Sequence, residues 1–274
     1  MEESTFGHKR FWLFVSASMM ALIIYIISSV SAHLDRATAI ERLAAGGRVA
    51  AAYRGPKWLR AAIGDKWMRG FEADLSATLG QRAGDVNLAS VGNIAQLRAL
   101  DLVETNITDV GMSRLHGHPS LESLYIFEGQ FTEVGLRHLP SIQTLRSLAL
   151  VGIPLTDETL QYMSGMTQLR DLELSPPPGL PRRTITSYGL AFLTRMSSLR
   201  QLTLNIDMDD SGMEQICKIA TLETLRIDGS EVSEDGLLNV CKLSRLKTLS
   251  LGGTGLTERC AIELGRILPS LVLE

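Results

Sequence analysis

The sequence has 274 residues and a formal net charge of −3, and this length allows one or two domains. The slightly acidic balance excludes the strongly basic surface by which proteins bind nucleic acid. Three cysteines, Cys217, Cys241 and Cys260, are too few for a disulfide framework, and their spacing fits no zinc motif. We expect all three to be thiols that lie in a core or line it.

Residues 11–30 read FWLFVSASMMALIIYIISSV and carry no charge. A helix of this length spans about 30 Å, the thickness of the hydrocarbon core of a bilayer. Lys9 and Arg10 precede it and favour a cytoplasmic N-terminus. The sequence therefore predicts a short cytoplasmic tail over residues 1–10 and a retained single-pass membrane anchor over residues 11–30, with the remaining chain on the non-cytoplasmic side. The alternative is a signal peptide that is cleaved after Ala32.

Residues 31–74 are predicted to form a linker and an N-terminal cap. Within them, residues 48–54 favour a short strand. Residues 57–71, KWLRAAIGDKWMRGF, repeat apolar side chains at helical spacing. A ligand pocket at Trp58 and Trp67 is the alternative to a cap, but a repeat array needs a cover for its first unit.

From residue 75 onward one pattern recurs, mostly at a period of 24 residues, and its strongest copy is LRALDLVETNITDVGMSRL. Within L-x-x-L-x-L, apolar and polar residues alternate with the period of a strand that has one buried face. A helix-capping Thr, Ser or Asp follows, and then usually an acid, which favours the positive end of a helix dipole. Residues 75–91 resemble an irregular first copy of the pattern. Regular copies start at Leu97, Leu121, Leu145, Leu169, Leu199, Leu222 and Leu246.

Stacked copies place their strands in a parallel sheet on a concave side and their helices on a convex side. Residues 75–274 are therefore predicted to be one α/β solenoid domain. The predicted helix caps are Thr108, Thr132, Thr156, Thr186, Asp209, Ser233 and Thr257.

The form L-x-x-L-x-L-x-x-T-x-I-T-D-x-G-L resembles the leucine-rich repeat superfamily. It is similar to repeats of many bacterial proteins, membrane-anchored ones among them, and to those that follow an F-box in eukaryotic ubiquitin-ligase receptors. The resemblance implies a scaffold that binds another protein. The alternative function is a substrate-recognition module of a ubiquitin-ligase assembly.

Few residues of the sequence are candidates for a metal site or a catalytic site. A metal site at His116, His118 and His138 is one interpretation, although we expect all three on the solvated convex side. The pair Asp209-Asp210 is explained as a helix cap followed by a first-turn acid. The sequence predicts no cofactor, no bound metal and no enzymatic activity, with a metal-dependent enzyme as a further alternative.

The concave face offers better candidates for binding. Outward strand positions are predicted to place Val103, Phe127 and Val151 side by side, next to Tyr125, with acids at the flanks. An apolar patch with a polar rim is typical of an interaction surface. The alternative is that the N-terminal segment of the chain covers part of this patch.

A six-residue insertion gives residues 175–184 the sequence SPPPGLPRRT, which favours an extended polyproline arm or an ordinary surface excursion. Before it, Asp171 and Glu173 are predicted to continue the two outward rows of the preceding strand. The predicted partner-binding residues are Asp101, Val103, Tyr125, Phe127, Val151, Glu173, Arg182 and Arg183.

Residues 271–273 are predicted to begin another strand. An open edge strand presents unpaired backbone groups and invites pairing with a second chain. We expect a monomer with an exposed C-terminal edge, and a dimer is the alternative.

Overall fold

The computed structural model describes residues 44–53, 72–91, 94–177, 184–229, 231–252, 258–269 and 271–273. These residues contain a ten-stranded sheet in which the order of the strands follows the chain. The strands are β1 Gly47–Tyr53, β2 Glu72–Leu79, β3 Leu97–Thr105, β4 Ser123–Gly129, β5 Ser147–Val151, β6 Asp171–Ser175, β7 Gln201–Leu204, β8 Thr224–Asp228, β9 Thr248–Gly252 and β10 Val272–Leu273.

A short helix follows each strand from β2 to β9. The helices are α1 Asp85–Leu88, α2 Asp109–Met112, α3 Glu133–Leu136, α4 Asp157–Met163, α5 Ser187–Leu193, α6 Asp210–Ile216, α7 Glu234–Leu238 and α8 Glu258–Ile267, and short 3₁₀ helices span Ser113–Leu115, Leu139–Ser141 and Asn239–Lys242. Six of the predicted caps are confirmed as the residues that precede α2 to α7, whereas Thr257 lies outside the described residues. At α2, for example, the Thr108 hydroxyl accepts a hydrogen bond from Val110 N at 3.3 Å.

The leucines of the repeat form one continuous core between the sheet and the helices. Leu97, Leu100 and Leu102 each have a solvent exposure of 0%, and the equivalent leucines of later strands are also buried. Burial of such a side chain stabilises the fold by ~2 kcal/mol. Because each repeat contributes the same three positions, the core extends along the array rather than closing into a globule.

The parallel sheet is extended at its N-terminal edge by one antiparallel strand. β1 pairs with β2 from Gly47↔Leu79 to Tyr53↔Glu72, in the region where the sequence predicts a strand. Within the described ranges, no helix is long and apolar enough to cross a bilayer. The predicted anchor at residues 11–30 and the predicted cap helix at residues 57–71 lie outside those ranges.

All later strand pairs, from β2–β3 to β9–β10, are parallel. At the C-terminal edge, Val272 and Leu273 of β10 are 55% and 36% exposed. The alternation of parallel strands and return helices is that of a leucine-rich repeat solenoid, as the sequence predicts.

Candidate functional site

Three apolar side chains lie next to each other on the open face of the sheet, and we call them the apolar row: Val103, Phe127 and Val151. The register pairs Val103 with Phe127 and Phe127 with Val151. Adjacent strands are about 4.8 Å apart, so the three side chains form a continuous surface. Each is half-buried, and each points away from the leucine core because it alternates with a buried residue.

A second row runs beside the apolar row. Here the register aligns Asp101, Tyr125, Ala149 and Glu173 across β3 to β6. The pKa of the Tyr125 hydroxyl is raised, first because its surroundings are partly desolvated and then because Glu173 and Asp101 are negatively charged. The Tyr125 hydroxyl is therefore close enough to both acids to be affected by their charges.

The predicted alignment of the fourth repeat is wrong by two residues. Glu173 lies beside Ala149, Ser175 lies beside Val151, and Asp171 lies one position earlier beside Ser147. The six-residue insertion comes after β6, so this strand keeps the 24-residue register of the strands before it. The apolar row consequently ends at Val151. Glu173 lies in the same row as Tyr125, two strands away from it.

Two glutamates at the ends of β3 and β4 were not identified from the sequence. Glu104 and Glu128 have left-handed backbone angles, with φ of 51° and 54°. The equivalent position in two other repeats is Gly152, with φ of 70°, and Gly229, with φ of 78°. Glycine at this position in later repeats is the signal that would have revealed the conformation, because glycine adopts positive φ without steric cost.

The arginine pair of the predicted polyproline arm, Arg182 and Arg183, lies outside the described residues. The described chain leaves β6 through Pro177 and resumes at Thr184. A contribution of the two arginines to binding stays a prediction.

The convex side uses its acids differently. We call the carboxylate ladder the set of first-turn acids that accept hydrogen bonds from the helix cap of the next repeat. Asp109, for example, accepts from Thr132 N at 2.8 Å, from Thr132 Oγ1 at 2.9 Å and from Gly135 N at 2.8 Å. The members are Asp85, Asp109, Glu133, Asp157 and Asp210.

The sequence predicts that these acids favour their own helix dipoles, but it misses the contact between repeats. The sequence feature that reflects this contact is the glycine of T-D-x-G. The carboxylate of the preceding repeat occupies the space that a side chain at this glycine would need. A Cβ placed on Gly111 would lie 2.3 Å from Oδ1 of Asp85. All five members are therefore engaged in holding repeats together.

The carboxylate ladder is interrupted between α5 and α6. Ser187 stands where the other helices carry an acid, and the next cap is itself an acid, Asp209. Hydrogen bonds from Ser211 Oγ and Gly212 N lower the pKa of Asp209. A cleft of about 260 Å³ lies at this step, lined in part by Ser187, Met208 and Asp209.

The predicted placement of the three histidines is wrong for His118, which is 3% exposed. It takes the place of an apolar core residue such as Ile142, and its Nδ1 accepts from Leu121 N at 3.1 Å. The rings of His116 and His138 lie 5.8 Å apart, between centroids. Among the described residues, no group of three or more His, Cys, Asp or Glu side chains is arranged to hold a metal ion.

The cysteines lie in or at the core, as predicted. Cys217 and Cys260 are buried, Cys241 is half-buried, and none of the three forms a disulfide. Burial raises the pKa of the Cys217 thiol to about 12, which keeps it protonated and unreactive.

No family model and no curated protein sequence matches the chain. Among solved structures, an internalin (InlF) of Listeria monocytogenes is similar to it, with 16% sequence identity and a TM-score of 0.38. The similarity covers 68% of this chain and 69% of the internalin. The leucine-rich repeat fold therefore rests on the repeats and the sheet register of this chain itself.

Proposed function

We propose that the protein is a non-catalytic scaffold that binds another protein through the concave face of its repeats and is held at a membrane by residues 11–30. The observation that carries the proposal is the apolar row beside Tyr125 on an open sheet face. Aromatic side chains within such a surface usually dominate the energy of a protein interface.

The shape of the surface favours a protein as the ligand. The apolar row spans β3 to β5, and the row beside it spans β3 to β6, so the surface covers four neighbouring strands. At about 4.8 Å per strand step this is a broad face about 14 Å across, whereas small molecules prefer enclosed pockets. A flat arrangement of half-exposed side chains fits an extended segment or a helix of a partner.

The roles of several titratable groups support a scaffold without catalysis. The carboxylates on the convex side accept hydrogen bonds from the next repeat, and the buried Cys217 stays protonated.

A photoreactive amino acid in place of Ala149 tests the binding surface directly. Ala149 lies between Tyr125 and Glu173, so the side chains of the apolar row stay intact. In the full chain in its native membrane, illumination should yield an adduct with another protein, which Phe127→Ala should remove. A matched probe at Glu158, which is exposed at the start of α4, should give no such adduct. Equal labelling at both positions would contradict the proposal, as would an adduct with the chain's own residues 57–71.

The organisation along the chain is part of the proposal: a tail over residues 1–10, the anchor over residues 11–30, a linker and cap over residues 31–74 and the repeats over residues 75–274. The charges at Lys9 and Arg10 support repeats on the non-cytoplasmic side. A protease added from the cytoplasmic side should leave the repeats intact. Digestion of the repeats from that side, or a mature N-terminus at His33, would contradict this topology.

A further inference from the structure

The chemistry of the partner follows from four acids around the apolar row, which we call the acidic rim: Asp101, Glu104, Glu128 and Glu173. We infer that the apolar row and the acidic rim bind a protein segment in which lysine or arginine residues flank an apolar side chain. The inference rests on the proposed function, because it names the partner of the same surface.

Two members of the acidic rim, Asp101 and Glu104, lie on β3 and accept hydrogen bonds from residues of β2 and of the turn after it. Thr78 Oγ1, on β2, donates a hydrogen bond to Asp101 Oδ2 at 3.1 Å. Gln81 Nε2, in the turn after β2, donates to Glu104 Oε2 at 2.5 Å. These neutral donors orient the two carboxylates without neutralising their negative charges.

The other two members lie at the strand ends and on the β6 side. A Cβ placed on Gly152 would lie 2.7 Å from Cγ of Glu128, so the Glu128 side chain extends beside the residue that follows Val151. Glu173 lies on β6, next to Ala149. The acidic rim therefore borders the apolar row in two places: Glu104 and Glu128 at the strand ends, and Asp101 and Glu173 at the two ends of the neighbouring row.

Two bases are aligned with the row of Asp101 and Glu173: Arg48 on β1 lies two strands from Asp101, and Arg226 on β8 lies two strands from Glu173. Other bases lie at the opposite ends of β3 and β5. Arg98 forms its ion pair with Glu122 at 2.5 Å, five residues before Val103 and roughly 16 Å from it along the strand. Arg146 lies equally far before Val151. None of the four acids of the acidic rim forms an ion pair with another residue in the described part of the chain.

The backbone gives an independent reason to assign Glu104 and Glu128 a role in binding. A residue with a side chain is strained at positive φ, and the fold accepts glycine at the same position, as Gly152 and Gly229 show. Strain that folding does not need is characteristic of functional positions. The two glutamates thus maintain negative charge beside the apolar row at a cost in stability.

A partner segment with one apolar side chain between basic ones would contact both the apolar row and the acidic rim. An apolar side chain of the partner covers Phe127, and cationic side chains on either side of it reach the acidic rim. Exposed ion pairs add modestly to affinity and weaken with salt, since the Debye length is about 10 Å at 0.1 M ionic strength. The bound segment should therefore dissociate more readily as salt is raised.

A random peptide library displayed on phage, selected against the full chain in lipid nanodiscs, tests the inference. We expect enriched peptides to carry lysine or arginine beside leucine, isoleucine or phenylalanine. Binding should weaken roughly 3- to 10-fold in the double variant Glu104→Gln/Glu128→Gln, and it should stay unchanged in Glu158→Gln on the convex side. Phe127→Ala should abolish it.

The outcomes separate the inference from the proposed function. Peptides that depend on Phe127 but lack basic residues, or that bind the double variant equally well, would overturn the inference and leave the proposed function standing. If no enriched peptide depends on Phe127, both are overturned.

Glu128→Gly tests the argument from strain. It should raise Tm by about 2–4 °C while weakening the selected peptides. A lower Tm would show that Glu128 supports the fold and would overturn its assignment to binding.

Discussion

Carboxylates on the two sides of the solenoid are used in opposite ways. On the convex side, Asp109 accepts three hydrogen bonds from the next repeat and thereby joins two structural units. On the concave side, Asp101 accepts one hydrogen bond, from Thr78, and is half-buried beside an apolar surface. Acids of the first kind are required for stability, whereas those of the second are free to serve binding. Substitutions on the two faces should therefore have separable effects.

The largest effect is expected for Phe127→Ala on partner binding. Truncation of an aromatic side chain within a binding surface typically costs about 2 kcal/mol or more of binding free energy. The free energy of unfolding should change by less than about 1 kcal/mol, because the ring lies outside the leucine core. The adduct at Ala149 and urea denaturation measure the two quantities. Unchanged binding, or a loss of the fold, would show that the ring is structural.

Asp109→Ala should destabilise the solenoid by about 2 kcal/mol, since three donors lose a charged acceptor. Asp101→Ala is the matched control on the other face and should change stability by less than about 0.5 kcal/mol. Urea denaturation of both variants checks this. Equal destabilisation would mean that the two faces do not differ in their use of acids.

The interruption of the carboxylate ladder offers a gain of stability. Ser187→Asp alone should destabilise the fold, because the new carboxylate would face that of Asp209. Combined with Asp209→Thr, it recreates the acid–hydroxyl contact of the other repeats and should stabilise by about 1 kcal/mol. A double-mutant cycle in urea measures the coupling. Additive single effects would show that the ladder does not depend on contact across the step.

The smallest effect is expected from pH. Burial lowers the pKa of His118, so the unfolded chain takes up a proton at a pH where the folded chain stays neutral. The contribution of His118 to the free energy of unfolding is therefore fully present above the ordinary histidine pKa of about 6.5. It is lost as the pH falls below that value. His118→Met, which introduces the residue type of Met166 and Met196 in later repeats, should remove this dependence. The comparison is the free energy of unfolding at pH 7.5 and pH 5.5, and an unchanged slope in the variant would contradict it.

Local periodicity was enough to predict the repeating elements. The spacing of Leu97, Leu100 and Leu102 determines a strand with one buried face, and a threonine such as Thr108 starts the following helix. The apolar row could be predicted because the 24-residue period sets its register. The hydrogen bonds between helices of successive repeats, such as that from Thr132 N to Asp109, could not, because an acid in the first turn is explained equally well by the dipole of its own helix.

Two details of the site also depend on three-dimensional structure. The backbone angle at Glu128 follows from how β4 ends, and only comparison with the glycine of the next repeat reveals it. His118 reads as a surface residue when counted as one of three nearby histidines. Its burial follows from the position that it shares with Ile142 in the next repeat.

The most direct test of the division between the two faces is to measure binding and stability together in Phe127→Ala and Asp109→Ala. Phe127→Ala should lose the Ala149 adduct while retaining the wild-type free energy of unfolding to within about 1 kcal/mol. Asp109→Ala should lose about 2 kcal/mol of stability and keep the adduct under conditions where it remains folded. Loss of binding and stability in parallel in both variants would contradict the account.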